Sequence, residues 1–257
     1  MFKQCPLCLI TNDDGIYAEG IAVVADALKY LAEVIIVAPE NNQSGVSHRI
    51  TLKESILVKK VKERISGVQS YIVAGTPSDC VRIGVFGLAR SPISLVISGV
   101  NQGANMGEDV VYSGTVAAAR EGAMLGIPSM AVSVADGACT SIPQVQQIIR
   151  ESAVWILHNK KYSRSFFNIN IPERIPDNKV RYKLTRLGKR NYSTRYVKKA
   201  SLCQQWVYKL QEKVSGIPAR GSDIGEVEHG FVSITPMTLN FTDEAVLKKY
   251  KIKNINL

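Results

Sequence analysis

The chain has 257 residues, 46% of them hydrophobic, and a formal charge of +10. That length suits one large domain, or a domain with an appendage, and no apolar run approaches the ~18 residues of a membrane span. The basic balance favours anionic ligands or nucleic acid at long range, or a well-solvated surface; no zinc-finger or RNP signature accompanies it.

In chain order, the apolar run Pro6 to Thr11 reads as a first strand, and Asn12-Asp13-Asp14-Gly15 follows it directly. A secretory pattern is absent because Asp13 and Asp14 arrive after so short an apolar run, so a soluble cytoplasmic protein is expected. Further strands are expected at Val34 to Ala38, Ser70 to Ala74, Ser94 to Ser98 and Ser129 to Val134. They are short, rich in Val and Ile and without clean alternation, as parallel strands covered on both faces are. Helices are expected between them, at Ile21 to Leu31, from Thr76-Pro77 to about Leu88, at Val116 to Leu125 and at Val145 to His158. Thr76 is a good cap, with proline at the first helical position. This alternation predicts a doubly wound, mostly parallel sheet that binds ligands at the carboxyl ends of its strands.

After about Asn178 the texture changes. Val180 to Leu187, Gln205 to Leu210 and Gly230 to Ile234 read as antiparallel strands around a basic, Tyr-rich stretch, and Thr242-Asp243-Glu244 suits the start of a short final helix. A single α/β domain is expected, with a core over about 1–178 and an extension over about 179–257 that packs on the core or on a neighbouring subunit. The five cysteines, at 5, 8, 80, 139 and 203, are odd in number and scattered, so no disulfide framework is expected. Cys5 and Cys8 have C-x-x-C spacing, but they lead into a strand rather than a helix and read as ordinary thiols.

Four segments carry candidate chemistry. Two adjacent carboxylates ending a buried strand are costly to desolvate without a cation; Asp13 and Asp14 therefore suit a hard dication such as Mg²⁺ or Mn²⁺, although Asn-Asp-Asp-Gly is also good turn chemistry. Ser44, in the polar loop after the second strand, offers a neutral oxygen. The glycine-rich run Ser98 to Asp109 carries Asn101 and Asn105, whose amides suit a cation or an anion; it is neither a dinucleotide fingerprint nor a phosphate loop. Ser113-Gly114-Thr115 opens an alanine-rich helix, and its free N–H groups suit a phosphate while also capping the helix. A cation and an anion site at one sheet edge point to phosphoryl chemistry.

These segments resemble the SurE family of survival-protein acid phosphatases and nucleotidases. The resemblance rests on Thr11 to Ile16, Ala38-Pro39 with Ser44-Gly45, Gly75 to Val81, the whole run Ser98 to Thr115, and Val232 to Pro236. It implies a Rossmann-like three-layer sandwich with a C-terminal hairpin and helix extension exchanged within homodimers or homotetramers. It also implies a divalent cation held by Asp13, Asp14, Ser44 and Asn101, and hydrolysis of nucleoside monophosphates as a 5′-nucleotidase, with 3′-nucleotides and polyphosphate as open candidates for further substrates. On this reading Asp13 also positions the nucleophile, and Asn105, Ser113, Gly114 and Thr115 hold the phosphate. Asp109 braces its loop, and His48 is a lesser candidate for donation to the leaving group. Gly221-Ser222-Asp223 departs from the family's usual Asp-Ser/Thr-Asp. No membrane and no specific nucleic-acid partner are expected. The competing readings are a metal-dependent nucleoside hydrolase and a non-catalytic nucleotide-binding module.

Overall fold

The computed structural model describes residues 5–62, 65, 67–135, 141–159, 164–202 and 205–250. Seven of its strands and four of its helices form the core in chain order: β1 (Leu7–Thr11), α1 (Glu19–Leu28), β2 (Glu33–Pro39), β3 (Val58–Val61), β4 (Gln69–Val73), α2 (Pro77–Ile83), β5 (Ile93–Gln102), α3 (Gly114–Met124), β6 (Ser129–Val134), α4 (Ile142–His158) and β7 (Ser165–Ile171). Then come β8 (Tyr182–Leu184), β9 (Lys189–Leu202), β10 (Gln205–Ile217), α5 (Asp223–Glu228), β11 (Val232–Thr238) and α6 (Glu244–Tyr250).

A nine-stranded sheet runs in the order β3-β4-β2-β1-β5-β6-β7-β11-β8. From β4 to β7 every neighbouring pair is parallel. The edges are mixed: β3 pairs antiparallel with β4, and β11 antiparallel with β7. The continuous apolar runs are explained by period 2 with both faces covered. Cys8, Ile10, Ile36, Leu95 and Ile97 face one cluster with α1 and α4. Leu9, Ile35, Val37 and Val96 face another with α2 and α3. Each fully buried Leu or Ile contributes about 1.5–3 kcal/mol, so this two-sided burial defines the three layers.

The helix expected from Thr76 forms with a reciprocal capping box: Asp79 N–H donates to Thr76 Oγ1 at 3.2 Å, and Thr76 N–H donates to Asp79 Oδ2 at 2.9 Å. It continues through a wider turn to Leu88, closed by Ala89 N–H donating to the Gly84 carbonyl at 2.9 Å.

Three differences from the sequence reading have physical causes. β7 is not among the expected strands because Asn168 and Asn170 interrupt its apolar pattern, yet both are fully buried. The basic run at Val58–Val61 is an edge strand, where exposed lysines block pairing with another chain. The third concerns β8, which pairs parallel with β11 rather than antiparallel, because the long β9–β10 hairpin and α5 lie between them in sequence. Residues after 178 thus divide between two sheets: β8 and β11 complete the main one, and β9–β10 form a separate antiparallel ribbon. Cys139 and Cys203 lie outside the described residues; Cys5, Cys8 and Cys80 are free thiols.

Candidate active site

β1 sits where the sheet's winding reverses, between β2 and β5. The carboxyl ends of these three strands meet at one rim, as expected for a ligand crevice in such a sheet. Asn12 fixes the turn after β1: its Nδ2 donates to the Gly15 carbonyl at 3.0 Å, and Gly15 N–H donates to Asn12 Oδ1 at 3.1 Å. The loop after β2 is clipped to it by Gln43 N–H donating to the Asp13 carbonyl at 2.6 Å. Asn42 Oδ1 then accepts from Ser44 N–H at 2.8 Å.

On the other side of β1, β5 breaks register with β6 between Ser98 and Asn101. Gly99 makes this possible. It has φ 137°, and a Cβ there would lie 2.3 Å from the Val132 carbonyl oxygen. The irregularity carries Asn101 to the rim, where its Nδ2 donates to the Gly103 carbonyl at 2.6 Å. With the nitrogen so engaged, Oδ1 is the end of the amide left for a ligand.

One cavity of about 880 Å³ is lined by Asp13, Asp14, Ser44, Asn101, Asn105 and Ser113. Six of the eight candidate residues thus share a single wall. Asp13 is buried and Asp14 half-buried. Burial raises the Asp13 carboxyl above its usual value, and hydrogen bonds from Thr115 and Gly114 offset only part of this. Burial and then the neighbouring Asp13 raise Asp14. Two carboxyls disfavoured as anions by burial, one also by its neighbour, beside neutral oxygens of Ser44 and Asn101, form an all-oxygen donor set that a hard dication would relieve. Among the described residues no group of three His, Cys, Asp or Glu offers a competing metal site.

Gly114 and Thr115, read from the sequence as phosphate-binding residues, both bond to Asp13. The anion at the N-terminus of α3 is the protein's own Asp13. Thr115 N–H and Oγ1–H donate to its two carboxylate oxygens at 3.0 and 2.5 Å, and Gly114 N–H also points to it. A Cβ at Gly114 would lie 2.8 Å from the Asp13 Cβ, so glycine allows the approach. Ser113 Oγ accepts from Val116 N–H at 3.1 Å, which leaves its own hydrogen to donate into the cavity.

Asn105 is held from behind. Its Nδ2 donates to Ser133 Oγ at 2.8 Å, its N–H donates to Asn170 Oδ1 at 2.8 Å, and its carbonyl accepts from Asn168 and Asn170 at 2.7 and 3.0 Å. Sequence reading missed these supports, although Asn168 and Asn170 at period 2 in an apolar strand mark one polar face.

It also missed the far wall that the hairpin supplies beside Tyr112: Tyr192, Thr194, Tyr196, Leu210 and Glu212. Asp109, also on the cavity wall, is paired with Arg190 Nε at 2.8 Å and accepts from Tyr192 OH at 2.7 Å, which ties its loop to the hairpin. His48 is not in this cavity; it pairs with Glu121 at 2.8 Å elsewhere. Asp223, of the divergent motif, is fully buried and accepts from Gly107 and Gly188 N–H at 2.9 and 2.6 Å, tying the glycine-rich loop to the base of the hairpin.

The family described as "Survival protein SurE" matches residues 8–194. The chain belongs to the SurE family. Among its relatives, a protein named 5′-nucleotidase SurE from Aeromonas hydrophila is 39% identical over 238 residues, covering 91% of this chain and 92% of that relative. Its namesake from Vibrio cholerae is 38% identical over 245 residues, covering 93% and 94%. The crystal structure of the SurE protein from Aquifex aeolicus superposes with a TM-score of 0.78 at 34% identity, covering 96% of this chain and 98% of that one. No described helix of this SurE-family chain is long and apolar enough to cross a membrane.

Proposed function

We propose that this chain is a 5′-nucleotidase, a phosphomonoesterase that splits nucleoside monophosphates into nucleoside and phosphate with the help of a divalent cation, Mg²⁺ or Mn²⁺. The observation that carries this reading is the meeting of Asp13, Asp14, Ser44 and Asn101 in one cavity with Ser113 and Asn105. A nucleotide-binding module without catalysis gains nothing from two adjacent carboxylates facing an anionic ligand. The names of the relatives support the same activity.

In this reading Asp13, Asp14, Ser44 and Asn101 hold the cation. Bound there, it supplies Lewis-acid polarisation of the phosphoryl oxygens and a lowered pKa for an attacking water. Asp13, fixed by α3, positions the nucleophile. The Ser113 hydroxyl and the Asn105 amide hold the phosphate, and Tyr112, Tyr192, Tyr196 and Glu212 offer rings and an acceptor to the nucleoside.

The core and the sheet-completing strands act as one domain, and the β9–β10 hairpin is its oligomerisation arm, giving a homodimer or homotetramer. Its exposed Tyr196, Trp206, Val207, Tyr208 and Leu210 support this. The free thiols of Cys8 and Cys80 fit a reducing, cytoplasmic setting.

The test is a screen for phosphate release from nucleotides with Mg²⁺ or Mn²⁺, run beside a free-base assay, on the wild type and Asp14→Ala. The expected outcome is phosphate without free base, lost in EDTA and in the variant, with unchanged circular dichroism. Full turnover by Asp14→Ala would remove that residue from the site; release of free base would favour a nucleoside hydrolase.

A further inference from the structure

A second cavity, of about 560 Å³, opens at the other end of α3. His48, Arg82, Arg120 and Arg164 surround it, with apolar walls that include Met124 and Phe241. Among the described residues that line it, Glu121 is the one carboxylate. Glu121 is already committed: Oε2 is paired with His48 Nε2 at 2.8 Å, and Oε1 with Arg82 Nη1 at 2.9 Å. Burial would raise its carboxyl, but these two partners hold it below its usual value.

Arg120 and Arg164 are therefore left without a counter-ion among the described residues. Arg120 is the more telling. Its Nε is buried with no hydrogen-bond partner. Its guanidinium sits over the rings of Phe166 and Phe241, 5.8 and 5.0 Å from their centroids. Two aromatic contacts offset some of the lost hydration, but a guanidinium stays charged in proteins and its buried Nε–H lacks an acceptor. Burial lowers the Arg120 pKa, as expected where no anion faces it. Arg forks match the oxygens of a phosphate, and the cavity is wide enough to admit a small organic ester beside the apolar wall.

We propose that this cavity is a phosphate-binding site separate from the active site, in which Arg120 and Arg164 hold the oxyanion of free phosphate or of a small phosphate ester, and Met124 and Phe241 hold the ester's apolar body. It lies at the opposite end of α3 from the Asp13 carboxylate that the helix N-terminus fixes.

Thermal unfolding of the full-length protein tests this with inorganic phosphate and phenyl phosphate as probes, in EDTA and at constant ionic strength set with chloride. The expected result is a saturable rise in Tm that survives Ser113→Ala. Arg120→Gln and Arg164→Gln should each weaken the apparent affinity by about tenfold, the loss of one charge-assisted hydrogen bond. Tighter binding of phenyl phosphate than of phosphate identifies an ester as the ligand; equal binding identifies phosphate itself. Arg164 is exposed, so its variant leaves the fold intact and keeps the test decisive if Arg120→Gln misfolds. An undiminished Tm rise in Arg164→Gln and in any folded Arg120→Gln protein would overturn the proposal, as would no rise in the wild type. So would a change in sedimentation mass on Arg164→Gln without a change in phosphate affinity, which would make this face a subunit contact.

Discussion

Thr115 gives both its backbone N–H and its hydroxyl to the carboxylate of Asp13, at 3.0 and 2.5 Å. A helix N-terminus thereby sets the angle of an acidic side chain that β1 delivers to the rim. The hydroxyl alone can be removed by Thr115→Val, which keeps the shape and the backbone donor. We expect phosphate release to fall about 10- to 100-fold, with a matching loss of apparent Mn²⁺ affinity, as for other groups that orient a ligand from behind. Thr115→Ser should restore most of both. Steady-state kinetics across a metal titration checks this; unchanged metal affinity in Thr115→Val would mean that Asp13 needs no such support.

The bond between Asp109 and Tyr192 joins the glycine-rich loop to the hairpin. Asp109→Asn removes the charge that also meets Arg190. The far wall of the cavity should loosen, raising KM for the nucleotide about 10- to 100-fold, the range for one hydrogen bond to a charged group, while kcat changes less. A fall confined to kcat would place Asp109 in the chemistry instead.

Glu121 makes acid stability testable. Its folded pKa lies below the ordinary 4.5 because His48 and Arg82 favour the anion over the cost of burial. The stabilisation is therefore present above about pH 4.5 and is lost as pH falls through the depressed folded value. Urea midpoints of wild type and Glu121→Gln should differ at pH 5.5 and converge below that window. A gap that stays constant down to pH 3 would show that ionisation of Glu121 contributes nothing.

Gly20 lies in the first turn of α1, where helix propensity alone predicts that Gly→Ala stabilises by roughly 0.5–1 kcal/mol. Packing reverses the sign. A Cβ at Gly20 would lie 2.1 Å from the Val100 carbonyl oxygen, in backbone that cannot swing aside. Gly20→Ala should cost about 1–3 kcal/mol, the usual range for overpacking, read as a lower denaturation midpoint. A higher midpoint would refute the close approach of α1 to β5.

The core strands were legible because burial on both faces writes itself into sequence as short Val- and Ile-rich runs. Thr76-Pro77 and the Asp13-Asp14 pair were legible because capping and desolvation act between near neighbours. β7 was not, since Asn168 and Asn170 look polar until their partner Asn105, 63 and 65 residues away, is brought beside them. Nor was the occupant of the α3 N-terminus: a free helix end attracts any anion, and local sequence does not say which one arrives.

The sequence by itself determined the alternation of elements, the rim on which the acidic and amide side chains gather, and the family. Tertiary structure alone decided that Asp13 fills the helix N-terminus, that the hairpin walls the cavity, and that His48 turns away to Glu121. The division follows from range. Propensity, capping and periodicity act over a few residues, whereas these three pairings span from about 70 to almost 200 positions and exist only once the sheet has set its strand order.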